Sequence, residues 1–314
     1  MPTRQTASRP LAPRSVVTSS RPARSRRPGT VRDALHWARG VLAATPPGTT
    51  DTPALDADVL LRHVLDWDRA TLVLRDHEPF AETSWRRYRA AVARRARAEP
   101  VAYITGTKEF AGVPFRVDRR VLVPRPDTEI LVDVAVARLA PRGHAGRAVD
   151  VGTGSGAIAI ALASACPLAL VHAVDIDPGA LRVARANSRR LALGARLRFH
   201  LGDGLGSLRT RVDVACANLP YIPSGDLALL DPTVRDWEPR LALDGGQDGL
   251  DPYRSLLRDT PSALRAGSSV LMECDPAQVP ALVDLALAAH PRASVTVHRD
   301  LAGRDRVVEA RLPD

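Results

Sequence analysis

Asp150-Val151-Gly152-Thr153-Gly154-Ser155-Gly156-Ala157 decides the fold of this chain. Ala148–Val151 reads as a buried strand and Ala157–Cys166 as a buried helix, so the glycines form the turn between them. Open α/β sheets bind ligands at such strand-to-helix turns. Glycine lets the backbone approach a ligand closely and leaves amide N–H groups pointing outward at the helix start. Outward from this turn, strands are expected at Leu170–Asp175, Leu197–Leu201, Val212–Ala217 and Ser269–Glu273. Helices are expected at Pro178–Leu191, at Pro252–Leu264 (stopped by Gly267) and around Val279–Ala289. The alternation predicts a parallel sheet covered on both faces. Val295–His298 and Val307–Arg311 read as an antiparallel pair that closes it.

Upstream the pattern changes. Residues 31–100 read as helices joined by polar turns, with Val31, Leu35, Ala38 and Val41 recurring at helical spacing. Thr52-Pro53 reads as an N-cap and first turn, and Ser84 as the cap of a helix with Trp85, Tyr88 and Val92 on one face. The arginines of that helix, from Arg86 to Arg97, are expected on a solvated face. Within residues 101–126, Phe110-Ala111-Gly112-Val113-Pro114-Phe115 looks like a hairpin. Pro124 and Pro126 then punctuate the approach to a helix from about Asp127 to Leu139.

At 314 residues the chain can hold one large and one small domain, and its 45% apolar and 25% charged content is that of an ordinary soluble protein. The net charge of +9 is concentrated, because residues 1–30 carry seven arginines and no acid. The basicity therefore belongs to a tail, expected to be a disordered extension that can hold nucleic acid only nonspecifically. Cys166, Cys216 and Cys274 form no Cys-x-x-Cys pair, which argues against a zinc site or a disulfide framework and for a reducing, cytoplasmic compartment. The most apolar window, Ala157–Val174, contains Pro167 and His172 and reads as helix plus strand rather than a membrane span.

Asp175 ends the strand after the glycine turn, 19 residues past Gly156, where a carboxylate can accept both hydroxyls of a ribose. Asp203 and Gly204, after the following strand, would flank an adenine. Gly152, Gly154 and Ala157 also satisfy the G-x-G-x-x-A pattern of dinucleotide sites, so the turn alone leaves a dehydrogenase open. Asp177, just before Pro178, suits a helix N-cap.

About sixty residues later, Asn218-Leu219-Pro220-Tyr221 narrows the choice. An amide nitrogen has its lone pair delocalised and does not attack a sulfonium methyl unassisted. Accepting hydrogen bonds from both of its N–H groups localises density on nitrogen and aims it along the transfer axis. The Asn218 side-chain oxygen can take one N–H and the Leu219 carbonyl the other, with Tyr221 against the flat face of the acceptor. The expected reaction is methyl transfer from S-adenosylmethionine to a planar amino or amide group. Adenine N6 and glutamine N5 both qualify.

These segments resemble the HemK-type glutamine N5-methyltransferases, along residues 31 to 312. The resemblance is carried by Glu99–Ile104, Lys108-Glu109-Phe110, Val123–Glu129, Asp150–Ala157, Asp175 and Asn218–Pro223. It continues through Glu238-Pro239, Leu243–Gly246, Asp248-Gly249-Leu250 and Asp300–Arg306. It implies an α/β fold, a Rossmann-like class I methyltransferase with a seven-stranded sheet and an antiparallel closing pair, plus a small helical N-terminal domain. The implied organisation is a basic extension at 1–30, a substrate-binding helical domain at 31–100, a hairpin linker at 101–126 and the methyltransferase domain at 127–314.

The implied cofactor is S-adenosylmethionine, held by Gly152, Thr153, Gly154, Ser155, Gly156, Asp175, Asp203, Gly204 and Asn218. Asn218, Leu219, Pro220 and Tyr221 are the implied catalytic segment. The implied partner is the Gly-Gly-Gln loop of a peptide chain release factor, since Pro124–Glu129 looks like the release-factor branch. Three departures stand out. Leu219 replaces the first proline of the usual Asn-Pro-Pro-Tyr, giving a form that also resembles rRNA adenine dimethyltransferases. Gly204 stands where a bulky residue is common, and Met272–Asp275 where Glu-Ile-Gly is usual. An N6-adenine methyltransferase of RNA or DNA, or a SAM-binding homologue without turnover, are the alternatives.

Overall fold

The computed structural model describes residues 27–314. The expected extension lies outside the described residues as far as residue 26, while Thr30 belongs to the folded unit. Its hydroxyl accepts from the Asp33 N–H and the Asp33 carboxylate accepts from the Thr30 N–H. This reciprocal cap opens α1 (Val31–Ala43). The buried line of α1 is Val31, Ala34, Ala38 and Leu42. Leu35 and Val41, expected inside, pack only partly buried at its margin.

α2 (Pro53–Leu65), α3 (Arg69–Leu74) and α4 (Glu82–Arg95) complete the helical unit. Thr52 does not cap α2 through its side chain: its hydroxyl, like that of Thr50, donates to Asp56. α4 begins at Glu82, so Ser84 lies inside its first turn. Trp37 meets Trp85 edge-on at 4.6 Å, and the buried Tyr88 hydroxyl donates to the Ala57 carbonyl. The arginine face is not uniformly solvated, because Arg95 is buried and reaches Asp56 at 2.6 Å. A guanidinium buried without its partner costs several kcal/mol, so this pair fixes α4 against α2.

The connector is α5 (Val101–Thr105) followed by the antiparallel hairpin β1 (Thr107–Phe110) and β2 (Val113–Arg116). Ala111 and Gly112 both take positive φ, the tight turn that matches the strands' own twist. The Ala111 N–H donates to Glu129, and Tyr103 donates to the Val121 carbonyl at 2.6 Å. Asn187, fully buried, pairs with both backbone groups of Arg116 and also donates to the Ser155 carbonyl. One side chain thus holds the hairpin to the glycine turn.

The sheet contains β3 (Arg147–Val151), β4 (Leu170–Asp175), β5 (Leu197–Leu201), β6 (Val212–Ala217), β7 (Leu264–Glu273), β8 (Ser294–Arg299) and β9 (Asp305–Arg311). Their order is β5-β4-β3-β6-β7-β9-β8, with β3 to β7 parallel and β9 antiparallel to both neighbours. α6 (Glu129–Leu139), α7 (Ala157–Ala165) and α8 (Pro178–Arg190) cover one face. α10 (Asp251–Ala263) and α11 (Val279–Ala289) cover the other, and the short α9 (Pro232–Arg235) lies in the loop between β6 and α10. Alternate residues divide between the two cores: Ala148, Val214 and Cys216 face one, Val149, Ala215 and Ala217 the other. The chain leaves β3 towards β4 on one side and β6 lies on the other, so the order reverses at β3. Such a reversal opens a crevice at the strands' carboxyl ends. One expected boundary is wrong. Gly267 does not stop a helix; it sits within β7, which already begins at Leu264.

Candidate active site

The crevice is a cavity of about 380 Å³, within the range of small-molecule sites. Gly152, Thr153, Gly154 and Ser155 line it from the turn after β3, Asp175 from the end of β4, and Asp203 and Gly204 from beyond β5. Asn218, Leu219 and Pro220 line it from the end of β6. Two expected site residues lie elsewhere. Gly156 sits against Ala184 of α8. Tyr221 packs on the core beneath α10 and α11, with its carbonyl held by Gln278 and its phenol pushed up to about 12 by burial.

The glycine turn is held from below. The Gly152 and Thr153 amides both donate to the Val174 carbonyl, Gly154 donates to Asp175 at 2.8 Å, and Gly156 donates to the Thr153 carbonyl. These four N–H groups are engaged internally, while Ser155, Ala157 and Ile158 line the cavity at the helix start. The turn also offers close backbone approach. At Gly152, with φ +72°, a Cβ would come within 2.9 Å of the Leu219 side chain, so cofactor turn and acceptor segment touch here. Below, the buried Asp150 accepts from the Thr153 hydroxyl at 2.6 Å and the Ala159 N–H at 3.1 Å, and burial pushes its carboxyl up to about 7.

Asp175 keeps one oxygen on the Gly154 N–H and the other on the Asp177 N–H, while burial raises its pKa. Asp177 caps α8 through Gly179 and Ala180. Gly204 adopts φ +58° with ψ −158°, a backbone region essentially reserved for glycine, so the bulky residue common at this place could not take this loop shape.

The acceptor segment is braced at long range. The Asn218 Nδ2 donates to the Thr128 hydroxyl at 3.1 Å, and the nearby buried Glu273 keeps one carboxyl oxygen without a hydrogen-bond partner. The Leu219 N–H donates to the buried Tyr253 hydroxyl at 3.2 Å, and Tyr253 in turn donates to the Glu273 carbonyl. The Leu219 carbonyl lies 3.4 Å from that hydroxyl, whose proton is already committed, and so keeps its acceptor capacity. Burial pushes the Glu273 carboxyl up to about 7, against the opposing pull of Thr128 and the Arg306 guanidinium.

Behind this lie the segments of the sequence resemblance. Arg306 reaches Asp127 at 3.2 Å, Arg304 pairs with both Asp127 and Asp300, and Arg125 meets the buried Glu238 at 2.5 Å. The loop 243–250 seals the rear, with the Ile222 N–H on Leu243 and the Gly245 N–H on Ile222. The helical unit docks beside the site, where the Trp237 indole donates to the Arg97 carbonyl and Arg119 lies 4.0 Å over the indole ring. Thr128, Asn187, Tyr253 and Glu273 were not singled out from sequence. Thr128, inside Pro-Arg-Pro-Asp-Thr-Glu, and Glu273, inside Met272–Asp275, carried a signal there.

Residues 33–106 match the PrmC N-terminal domain and residues 127–230 the methyltransferase small domain. The chain is 42% identical over 281 residues to the release factor glutamine methyltransferase of Cereibacter sphaeroides, covering 90% of this chain and 98% of that one. It is 44% identical over 278 residues to that of Moorella thermoacetica, covering 88% and 96%. A solved structure of a release-factor-specific protein-(glutamine-N5) methyltransferase from Alicyclobacillus acidocaldarius aligns at 28% identity and TM-score 0.38, over 64% of this chain and 100% of that chain. With similarity of this depth along nearly its whole folded length, the chain belongs to the release factor glutamine methyltransferase family.

Proposed function

We propose that the protein transfers the methyl group of S-adenosylmethionine to the side-chain nitrogen of the glutamine in the Gly-Gly-Gln loop of a peptide chain release factor. The observation that carries this reading is the shared cavity: the Asn218 and Leu219 acceptor segment opens into the same space as Gly152 and Asp175. The names of the relatives point the same way.

The residues fit S-adenosylmethionine. Gly152 leaves room a Cβ would fill, and Asp175, Asp203 and Gly204 line the same cavity. When bound, it supplies an electrophilic methyl on sulfonium and leaves as a neutral thioether. The nitrogen–carbon bond forms as the carbon–sulfur bond breaks. The Asn218 oxygen and the Leu219 carbonyl accept the two N–H bonds of the glutamine amide, which aligns its nitrogen and localises density there. They also stabilise the positive charge that develops on nitrogen, so no strong base is required, and one proton leaves with that charge. The helical unit at 31–100 and the connector at 101–126 then hold the protein substrate, and residues 127–314 carry out the transfer in the cytoplasm.

Tryptic mass spectrometry of release factors incubated with enzyme and S-adenosylmethionine tests this. One methyl group on the Gly-Gly-Gln peptide, absent when that glutamine is replaced, is expected. The Asn-Leu-Pro-Tyr form favours adenine as the second reading, and labelled RNA beside unlabelled release factor would select it.

A further inference from the structure

We propose that Tyr253 and Gln278 are positioning residues that aim the Leu219 carbonyl at the acceptor amide. The inference rests on the amide-acceptor reading above. Proline has no N–H, so the peptide between Leu219 and Pro220 carries only its carbonyl, and that carbonyl must stay open for the substrate. No hydrogen bond of its own can hold the plane of this peptide. Its direction has to be set by the peptides on either side.

Both sides are pinned by side chains. Upstream, the Leu219 N–H donates to the hydroxyl of Tyr253, which is fully buried on α10, at 3.2 Å. The single Tyr253 proton goes to the Glu273 carbonyl, so the hydroxyl faces Leu219 as an acceptor. It holds the N–H without occupying the Leu219 carbonyl, 3.4 Å away. Downstream, Gln278, in the turn that leads into α11, donates through Nε2 to the Tyr221 carbonyl at 2.8 Å and to the Asp248 carbonyl at 3.1 Å. Its Oε1 accepts from the Asp275 N–H at 3.3 Å, so the carboxamide cannot turn over without losing all three contacts. Between the two pins, Gly245 lies so close that a Cβ there would come within 2.7 Å of the Pro220 carbonyl oxygen. The narrow backbone range of a residue before proline limits what freedom remains. Neither Tyr253 nor Gln278 lines the cavity, so both act through the segment and not on the substrate.

The test is methyl-transfer kinetics on a release factor for Tyr253→Phe, Leu219→Pro, the pair of these, and Gln278→Met, with S-adenosylmethionine binding followed by calorimetry. Tyr253→Phe and Gln278→Met are each expected to lower kcat on the order of 10-fold, with release-factor KM and cofactor affinity unchanged, as misalignment of a reacting group does. Leu219→Pro supplies the informative background. It has no N–H to strand, and its ring fixes from within what Tyr253 fixes from outside. There the added Tyr253→Phe change should alter kcat by less than about 2-fold, a coupling that a merely structural tyrosine would not show. Equal losses in both backgrounds, or wild-type kcat in Tyr253→Phe, would overturn the proposal while leaving the reaction standing. If Tyr253→Phe does not fold, wild-type kcat in Gln278→Met overturns it equally. A wild-type enzyme that leaves release factors unmodified would remove the underlying reading and the proposal together.

Discussion

The two walls of the cavity are built on different principles. The cofactor wall is local: Gly152, Thr153 and Gly154 are held by Val174 and Asp175 on the adjacent strand, and Asp150 ties the turn to α7. The acceptor wall is assembled from afar, with Asn218 leaning on Thr128, and Leu219 on Tyr253, partners 90 and 34 residues distant. A local wall forms wherever its strand-turn-helix-strand unit folds. A wall of distant parts forms only when the whole domain is in place, and it is the one to which the proposed reaction assigns the reacting amide.

The largest effect should come from Asn218→Ala. Removing one transition-state hydrogen bond costs on the order of 10²–10³ in kcat. Calorimetry should find S-adenosylmethionine binding within a few-fold of wild type, because Asn218 is one of nine expected cofactor residues and the hydrogen bonds of Gly152–Gly154 and Asp175 do not pass through it, and loss of binding would erase the contrast between the walls. Next comes Tyr253→Phe, which strands the buried Leu219 N–H and Glu273 carbonyl. Urea denaturation should show a loss of about 1–3 kcal/mol, with a fall in kcat.

The cofactor wall has its own signature in pH. Burial holds the Asp150 carboxyl at about 7 in the folded chain, above the 3.8 of a free aspartate. The folded state keeps a proton that the unfolded chain releases between about pH 4 and 7. The stability contributed by this group is fully present below that window and is lost as pH rises through 7. Asp150→Asn should therefore show a shallower decline in urea midpoint from pH 5 to pH 8, and an unchanged slope would count against a protonated Asp150. The smallest effect is expected of Leu219→Pro. It deletes the N–H held by Tyr253, at about 0.5–1.5 kcal/mol of stability, yet keeps the carbonyl, so methylation should persist.

The same contrast explains what could be read in advance. Gly152, Asp175 and Asn218 were legible because each ends a strand whose apolar pattern marks it, and strand ends meet at one edge of the sheet. The closing antiparallel pair was legible from alternation. Tyr253 was not, since a tyrosine acquires such a role only from neighbours far away in the chain; Thr128 and Glu273 lay in segments that stood out, but without their contacts. Tyr221, whose place in the motif suggested the acceptor, is partly buried against the core beneath α10 and α11. What the sequence did not show is that Val174 and Asp175 take the amides of Gly152, Thr153 and Gly154. Arg95 looked like one more surface cation until Asp56 was found beneath it.

Asn187 carries a mechanical consequence. Because one buried carboxamide ties the β1–β2 hairpin to the carbonyl of Ser155, these two parts cannot separate by more than hydrogen-bond reach without breaking it. A force that levers the hairpin aside therefore also pulls on the Ser155 end of the glycine turn.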